Sequence, residues 1–187
     1  MSGTALGATA EGGRLVKRHV VLIGLPGAGK TTVGQLVAER LQAGFVDVDT
    51  VLVRREGRPV TMIFAEKGEG AFRELERKEM ESALANQPAI IAPGGGWAAQ
   101  PGAIEGAKPR ALVIYLRARA DTAAQRAEPQ GTRPLLIGED PVERMRQLLK
   151  EREAAYLQAH EKIDTDRKTA PEVAAEVVRL AQSAAGW

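Results

Sequence analysis

Eight consecutive residues, Gly24-Leu25-Pro26-Gly27-Ala28-Gly29-Lys30-Thr31, fit the pattern G-x-x-x-x-G-K-[ST]. Glycines in such a loop let backbone N–H groups turn inward around phosphate oxygens, and a helix starting there adds partial positive charge. Gly27, Ala28 and Gly29 would form the cradle, Lys30 would reach the β- and γ-phosphates, and the Thr31 hydroxyl would ligate magnesium. Thr32 fills no role in the pattern and reads as packing, although it counts with the nucleotide-binding residues by position. The bland alternative is a glycine turn that merely joins a strand to a helix.

Phosphate binding leaves the acceptor open, and other residues must supply it. Asp47 and Asp49 in "FVDVDT" are two apart, which in an extended strand sets both carboxylates on one face. One could orient and deprotonate an alcohol while the other holds magnesium through water. Alternatively Asp49 or Thr50 caps the next helix. Arg73 offers a planar fork to a carboxylate, or a surface pair with Glu76 at helical spacing. Gly94, Gly95 and Gly96 would bring bare backbone against a substrate, or form a tight turn alone. Arg133, between Gly131 and Pro134, has the place of a lid cation facing a transferring phosphoryl group, or of an ordinary loop arginine.

The elements that must position these residues alternate. "HVVLIG" reads as a buried strand, and Val33, Leu36, Val37 and Leu41 give the next segment one apolar helical face. "GFVDVD" is a second strand, followed by helix through Arg55. "TMIFAEKGEGAFRELERKEMESALAN" reads as two helices broken at Gly68 to Gly70. "AIIAPGGG" and "RALVIYLRA" are strands, "ADTAAQRA" and "VERMRQLLKEREAAYLQAH" helices, "KIDTD" a last short strand, and "PEVAAEVVRLAQSAA" a closing helix with Pro171 in its first turn. The alternation predicts an α/β fold with a central, mostly parallel five-stranded sheet flanked by helices.

Composition bounds the rest. A chain of 187 residues suits one domain, here 19–187 behind a disordered tail of small residues over 1–18. It has no cysteine, so disulfides and thiolate metal sites are excluded. Net charge is only +2 with both signs interleaved, which gives nucleic-acid binding little support. No apolar run approaches the roughly 20 residues of a membrane span, and no targeting pattern stands out in the tail. A cytoplasmic protein without membrane or nucleic-acid partners is expected. His19 and His160 read as structural or solvated, and Trp187 as uninformative.

Taken together, "GLPGAGKTTVG", "FVDVDT", "IFAEKGEGAFRELE", "PGGG", "RPLL" and "EREAAY" resemble shikimate kinase, in the same chain order, from about Val20 to about Asp166. The resemblance implies a P-loop NTPase fold with ATP as phosphoryl donor, Mg2+ as cofactor, shikimate as acceptor at its 3-hydroxyl, and a monomer. It implies an acceptor-binding segment over about 47–84 and a lid over about 127–140. Asp49 matches the residue on the reacting hydroxyl and Asp47 the one linked to magnesium through water. Arg73 and Arg152 match the arginines on the acceptor carboxylate, Gly94 to Gly96 the substrate-facing turn, Arg133 the lid arginine and Arg126 the one against adenine. Ala92 and Pro93 stand where the family usually has a small polar and an aliphatic residue, and Trp97 is larger than its counterpart. Two alternatives stay open: a kinase of another small hydroxylated metabolite such as gluconate, and a nucleotide-binding regulatory module without transfer.

Overall fold

The computed structural model describes residues 16–127 and 140–187. Five strands form one parallel sheet: β1 (His19–Ile23), β2 (Gly44–Asp47), β3 (Ala89–Ala92), β4 (Ala111–Arg117) and β5 (Glu161–Asp164), in the order β2-β3-β1-β4-β5. The three inner strands are almost wholly buried, which is why they read as continuous apolar runs rather than alternating ones. The order reverses at β1, so the crevice beyond its carboxyl end is the natural ligand site of such a sheet.

Seven helices connect the strands within the described residues: α1 (Lys30–Leu41), α2 (Val48–Glu56), α3 (Val60–Ala85), α4 (Ala103–Ala107), α5 (Ala120–Ala127), α6 (Pro141–Tyr156) and α7 (Ala170–Ala184). Helix α3 is interrupted at Gly68, where φ is +80°, so the break expected there is real. A 3₁₀ turn over Trp97–Ala99 and the short α4 had no counterpart in the sequence reading. Helix α6 stops at Tyr156, four residues before the expected end at His160. Thr169 and Glu172 build a reciprocal capping box at the start of α7, and Pro171 sits in its first turn.

Three sequence readings change. Lys17 and Arg18, assigned to the tail, belong to the folded body: the Arg18 N–H donates to Ala185 O at 2.9 Å and its guanidinium to Ala184 O at 2.7 Å. Trp187 is not idle, since its indole N–H donates to Arg18 O at 2.9 Å and Lys17 Nζ lies 4.4 Å from its ring centre. Strand β2 ends at Asp47, and Asp49 stands in the first turn of α2, so the two carboxylates do not share a strand face. The lid expected over about 127–140, with Arg133, lies almost wholly outside the described residues, as do residues 1–15 of the tail.

Candidate active site

The phosphate-type loop joins β1 to α1. Gly24 and Gly27 have φ of +149° and +82°, and a Cβ at either would run into a main-chain carbonyl, that of Leu116 or Ala123. Helix α1 begins at Lys30 with no side-chain cap and no acidic residue in its first turn. Its first N–H groups are left to an anion, as the motif requires. Lys30 is 6% exposed, and its Nζ donates to Gly24 O and Leu25 O, both at 2.9 Å.

Thr31 and Asp47 meet directly: the hydroxyl donates to Asp47 Oδ2 at 2.6 Å. The other oxygen of Asp47 accepts from the Thr50 N–H at 3.0 Å and caps α2. The capping role, weighed for Asp49 or Thr50, therefore falls to Asp47. One carboxylate thus ties α1 to the helix that presents Asp49. A cleft of about 230 Å³ opens over this group, lined by Gly27, Gly29, Lys30, Thr31, Thr32, Asp47, Asp49, Thr50, Ala92 and Pro93. Thr32 is exposed and lines the cleft, which corrects its reading as packing.

A second cleft of about 410 Å³ shares Gly27, Ala28, Gly29 and Thr32 and continues past Arg126 to Thr165, Lys168, Thr169, Ala170 and Val173. Arg126 is fixed there by donating to Thr165 Oγ1 at 3.1 Å and Thr165 O at 2.9 Å. Sequence reasoning supplied Arg126 but missed the far wall, which comes from the loop after β5. The only signal for it was the turn-like run "TDRKTAP" before a helix.

A second cluster of side chains is built around Gly94-Gly95-Gly96, after β3, the turn expected to face the acceptor. A Cβ on Gly94 would strike the Glu76 carboxylate and come within 3.0 Å of Asp49 Oδ1. One on Gly95 would lie 3.3 Å from Arg152 Nη1, and one on Gly96 would overlap the Arg73 guanidinium at 2.5 Å. At each glycine the place of a Cβ is taken by a neighbouring side chain, most closely by Glu76 at Gly94 and by Arg73 at Gly96. Arg73 also donates to Glu76 Oε2 at 3.0 Å and Glu69 Oε1 at 3.3 Å, and its guanidinium carbon lies 5.7 Å and 5.5 Å from the ring centres of the packed pair Phe64 and Phe72. The Arg73–Glu76 pair exists as the spacing allows, but it is no surface pair. Glu76 is completely buried, it also accepts from Gln100 Nε2 at 2.9 Å, and its Oε1 has no hydrogen-bond partner among the described residues. Burial pushes its carboxyl above the ordinary carboxylate range, Arg73 pulls it back, and the charge of Asp49 adds to the rise.

Arg152 reaches the turn from α6 and is 7% exposed. Among the described residues no carboxylate pairs with it. A buried guanidinium without a counter-charge is costly and fits a place where an anionic ligand completes the site. Trp97, which follows the turn, is buried in the main core and lines neither cleft.

Comparison with known proteins agrees with this geometry. The family model described as shikimate kinase matches residues 26–182. The chain belongs to the shikimate kinase family. Within that family it is 42% identical over 167 residues to a shikimate kinase of Symbiobacterium thermophilum, covering 88% of this chain and 96% of the relative. A Thermobifida fusca shikimate kinase is also 42% identical, over 171 residues, with 89% and 95% covered. Among solved structures, shikimate kinase from Acinetobacter baumannii in complex with shikimate superposes with a TM-score of 0.85 at 34% identity, over 89% of this chain and 94% of that one. A gluconokinase from Sinorhizobium meliloti, at TM-score 0.57 and 17% identity, shares the fold alone.

Proposed function

We propose that the chain transfers the γ-phosphoryl group of ATP to the 3-hydroxyl of shikimate, giving shikimate 3-phosphate and ADP. The observation that carries the choice of acceptor is Arg152, buried and without a carboxylate partner among the described residues, on the glycine turn shared with Arg73 and Asp49. A small polyhydroxylated carboxylate needs that combination: guanidinium groups for its anion and a carboxylate for its reacting hydroxyl.

In this reading the adenine lies in the cleft beside Arg126 and the phosphates on the loop from Gly27 to Thr32. Arg73 and Arg152 hold the acceptor carboxylate, which turns the 3-hydroxyl toward Asp49. Asp49 accepts the hydroxyl proton as the new bond from that oxygen to the γ-phosphorus forms and the bond from phosphorus to the bridging oxygen breaks. Lys30 leaves its two carbonyl partners for the phosphate oxygens and stabilises the charge as it moves to ADP. Arg133 supplies a second cation from the lid, whose closure keeps water from the γ-phosphate.

The donor set beside the loop suits Mg2+, a hard cation that takes few protein oxygens and keeps several waters. Thr31 Oγ1 and Asp47 Oδ2, 2.6 Å apart, would hold it, Asp47 through water. When bound, the ion neutralises charge on the β- and γ-phosphate oxygens. A cytoplasmic monomer completes the reading; no described helix is long and apolar enough to cross a membrane.

The test is ADP formation from Mg-ATP with shikimate, set beside gluconate, quinate and no acceptor, with Lys30→Ala as background. Turnover that depends on shikimate is expected. Turnover with gluconate alone, or ATP binding without transfer to any acceptor, would overturn the reading.

A further inference from the structure

The acceptor turn is gripped by the last residue of "EREAAY", a stretch in which only Arg152 had been given a role. Met145, Leu148, Arg152 and Tyr156 form the buried face of α6, with Arg152 and Tyr156 one helical turn apart. Arg152 occupies the space beside Gly95, 3.3 Å from where its Cβ would be, and the Tyr156 hydroxyl donates to the carbonyl oxygen of the same residue at 2.6 Å. Helix α6 therefore meets Gly95 with two side chains, one of them through a hydrogen bond.

Three glycines in a row cannot fix the planes of their own peptides, because each lacks the Cβ that restricts φ and ψ. The peptide from Gly95 to Gly96 is planar and trans, so holding its oxygen also fixes the direction of the Gly96 N–H on the opposite side. Gly96 is the residue on which the Arg73 guanidinium lies. We propose that Tyr156 is a positioning residue for the acceptor: its hydroxyl locks the Gly95–Gly96 peptide and so sets the spacing between Arg73 and Arg152 that a single carboxylate must span.

The molecule contains its own control. Tyr115, on β4, is the chain's other tyrosine and is equally buried, with its ring centre 5.0 Å from that of Tyr156. Its hydroxyl has no hydrogen-bond partner among the described residues. Tyr156→Phe and Tyr115→Phe each delete one buried oxygen from the same aromatic pair, but only the first frees the Gly95 carbonyl.

The inference rests on the acceptor reading above, and the two fail differently. Absence of shikimate-dependent turnover in the unaltered protein sinks the acceptor reading, whereas a normal Tyr156→Phe variant sinks only this one. Expected for Tyr156→Phe is a KM for shikimate raised about fivefold, with KM for ATP within about twofold. Tyr115→Phe should leave both constants within about twofold. Unchanged shikimate KM in Tyr156→Phe, or equal rises in both constants, would overturn the proposal, since a general loss of packing moves both. Should Tyr156→Phe not fold, fluorine NMR of the 3-fluorotyrosine-labelled protein decides, because it gives one signal per tyrosine. The Tyr156 signal, assigned by its persistence in Tyr115→Phe, should shift with shikimate and stay put with the ATP analogue; no shift with shikimate overturns the proposal.

Discussion

The proposed nucleotide side and the proposed acceptor side of the crevice are built on opposite plans. The phosphate loop is a contiguous stretch whose working groups are largely main-chain N–H groups, with Lys30 and Thr31 next in line. The acceptor side draws Asp49, Arg73, Glu76 and Arg152 from three helices onto three glycines that follow β3. A local backbone device depends on loop conformation, and a convergent side-chain device depends on the register between elements. Damage should therefore be confined to one ligand on each side.

The largest separation is expected from Asp49→Asn. Loss of the proposed general base should lower kcat by about 10²–10⁴ while ATP still binds and the fold is kept, as read by steady-state assay and nucleotide titration. Next comes a matched glycine pair. Gly27→Ala forces a methyl against the Ala123 carbonyl at positive φ and should abolish most ATP binding. Gly96→Ala should displace the Arg73 guanidinium, raising KM for shikimate by about tenfold or more with KM for ATP nearly unchanged. Equal damage to both ligands in either variant would break the comparison.

Glu76→Gln is expected to have a smaller effect. It keeps an acceptor for Arg73 and Gln100 but removes a buried charge beside Asp49, so KM for shikimate should rise several-fold, roughly the worth of one charge-assisted hydrogen bond, without loss of fold. Smallest is the end clasp: Trp187→Ala deletes the indole bond to Arg18 and should cost about 1 kcal/mol in urea unfolding while both KM values stay put.

The two histidines supply a pH test that lies outside both ligand sites. His19 Nδ1 accepts from the Ala89 N–H at 3.1 Å and His160 Nδ1 from the Val113 N–H at 3.0 Å, so both are structural and the neutral ring is the one that fits. Burial lowers both from the ordinary value. The unfolded chain then binds more protons below about pH 6.5, and the stability these rings contribute above that pH is lost as pH falls toward their folded values. Thermal unfolding at descending pH should show a falling midpoint below about pH 6.5, with a shallower fall in His19→Gln. Glu76 acts in the opposite sense: its carboxyl is raised, so the folded state keeps its proton above the ordinary carboxylate range and the stability it contributes is lost as pH rises.

The same contrast explains what could be read in advance. The strands, the break at Gly68 and the phosphate loop were legible because each is set by residues adjacent in the chain. Asp47 and Asp49 were found, but their geometry was misread, because an alternating pair does not reveal that the strand ends between them and a helix begins. Glu76 was seen only as an i, i+3 partner of Arg73; that spacing is identical on a wet face and a dry one, and only packing against Gly94 distinguishes them. The Thr165 and Lys168 wall and the Tyr156 bond arise from strand order and helix docking, to which no local pattern corresponds.

The two tryptophans have a practical consequence. Trp97 follows the glycine turn at the carboxyl ends of the strands, while Trp187 sits with Arg18 where β1 begins, at the opposite end of the sheet. A Trp187→Phe protein would thus hold a single tryptophan, already placed one residue from Gly96. Its emission would track occupation of the acceptor turn in real time, giving binding rates without any attached dye.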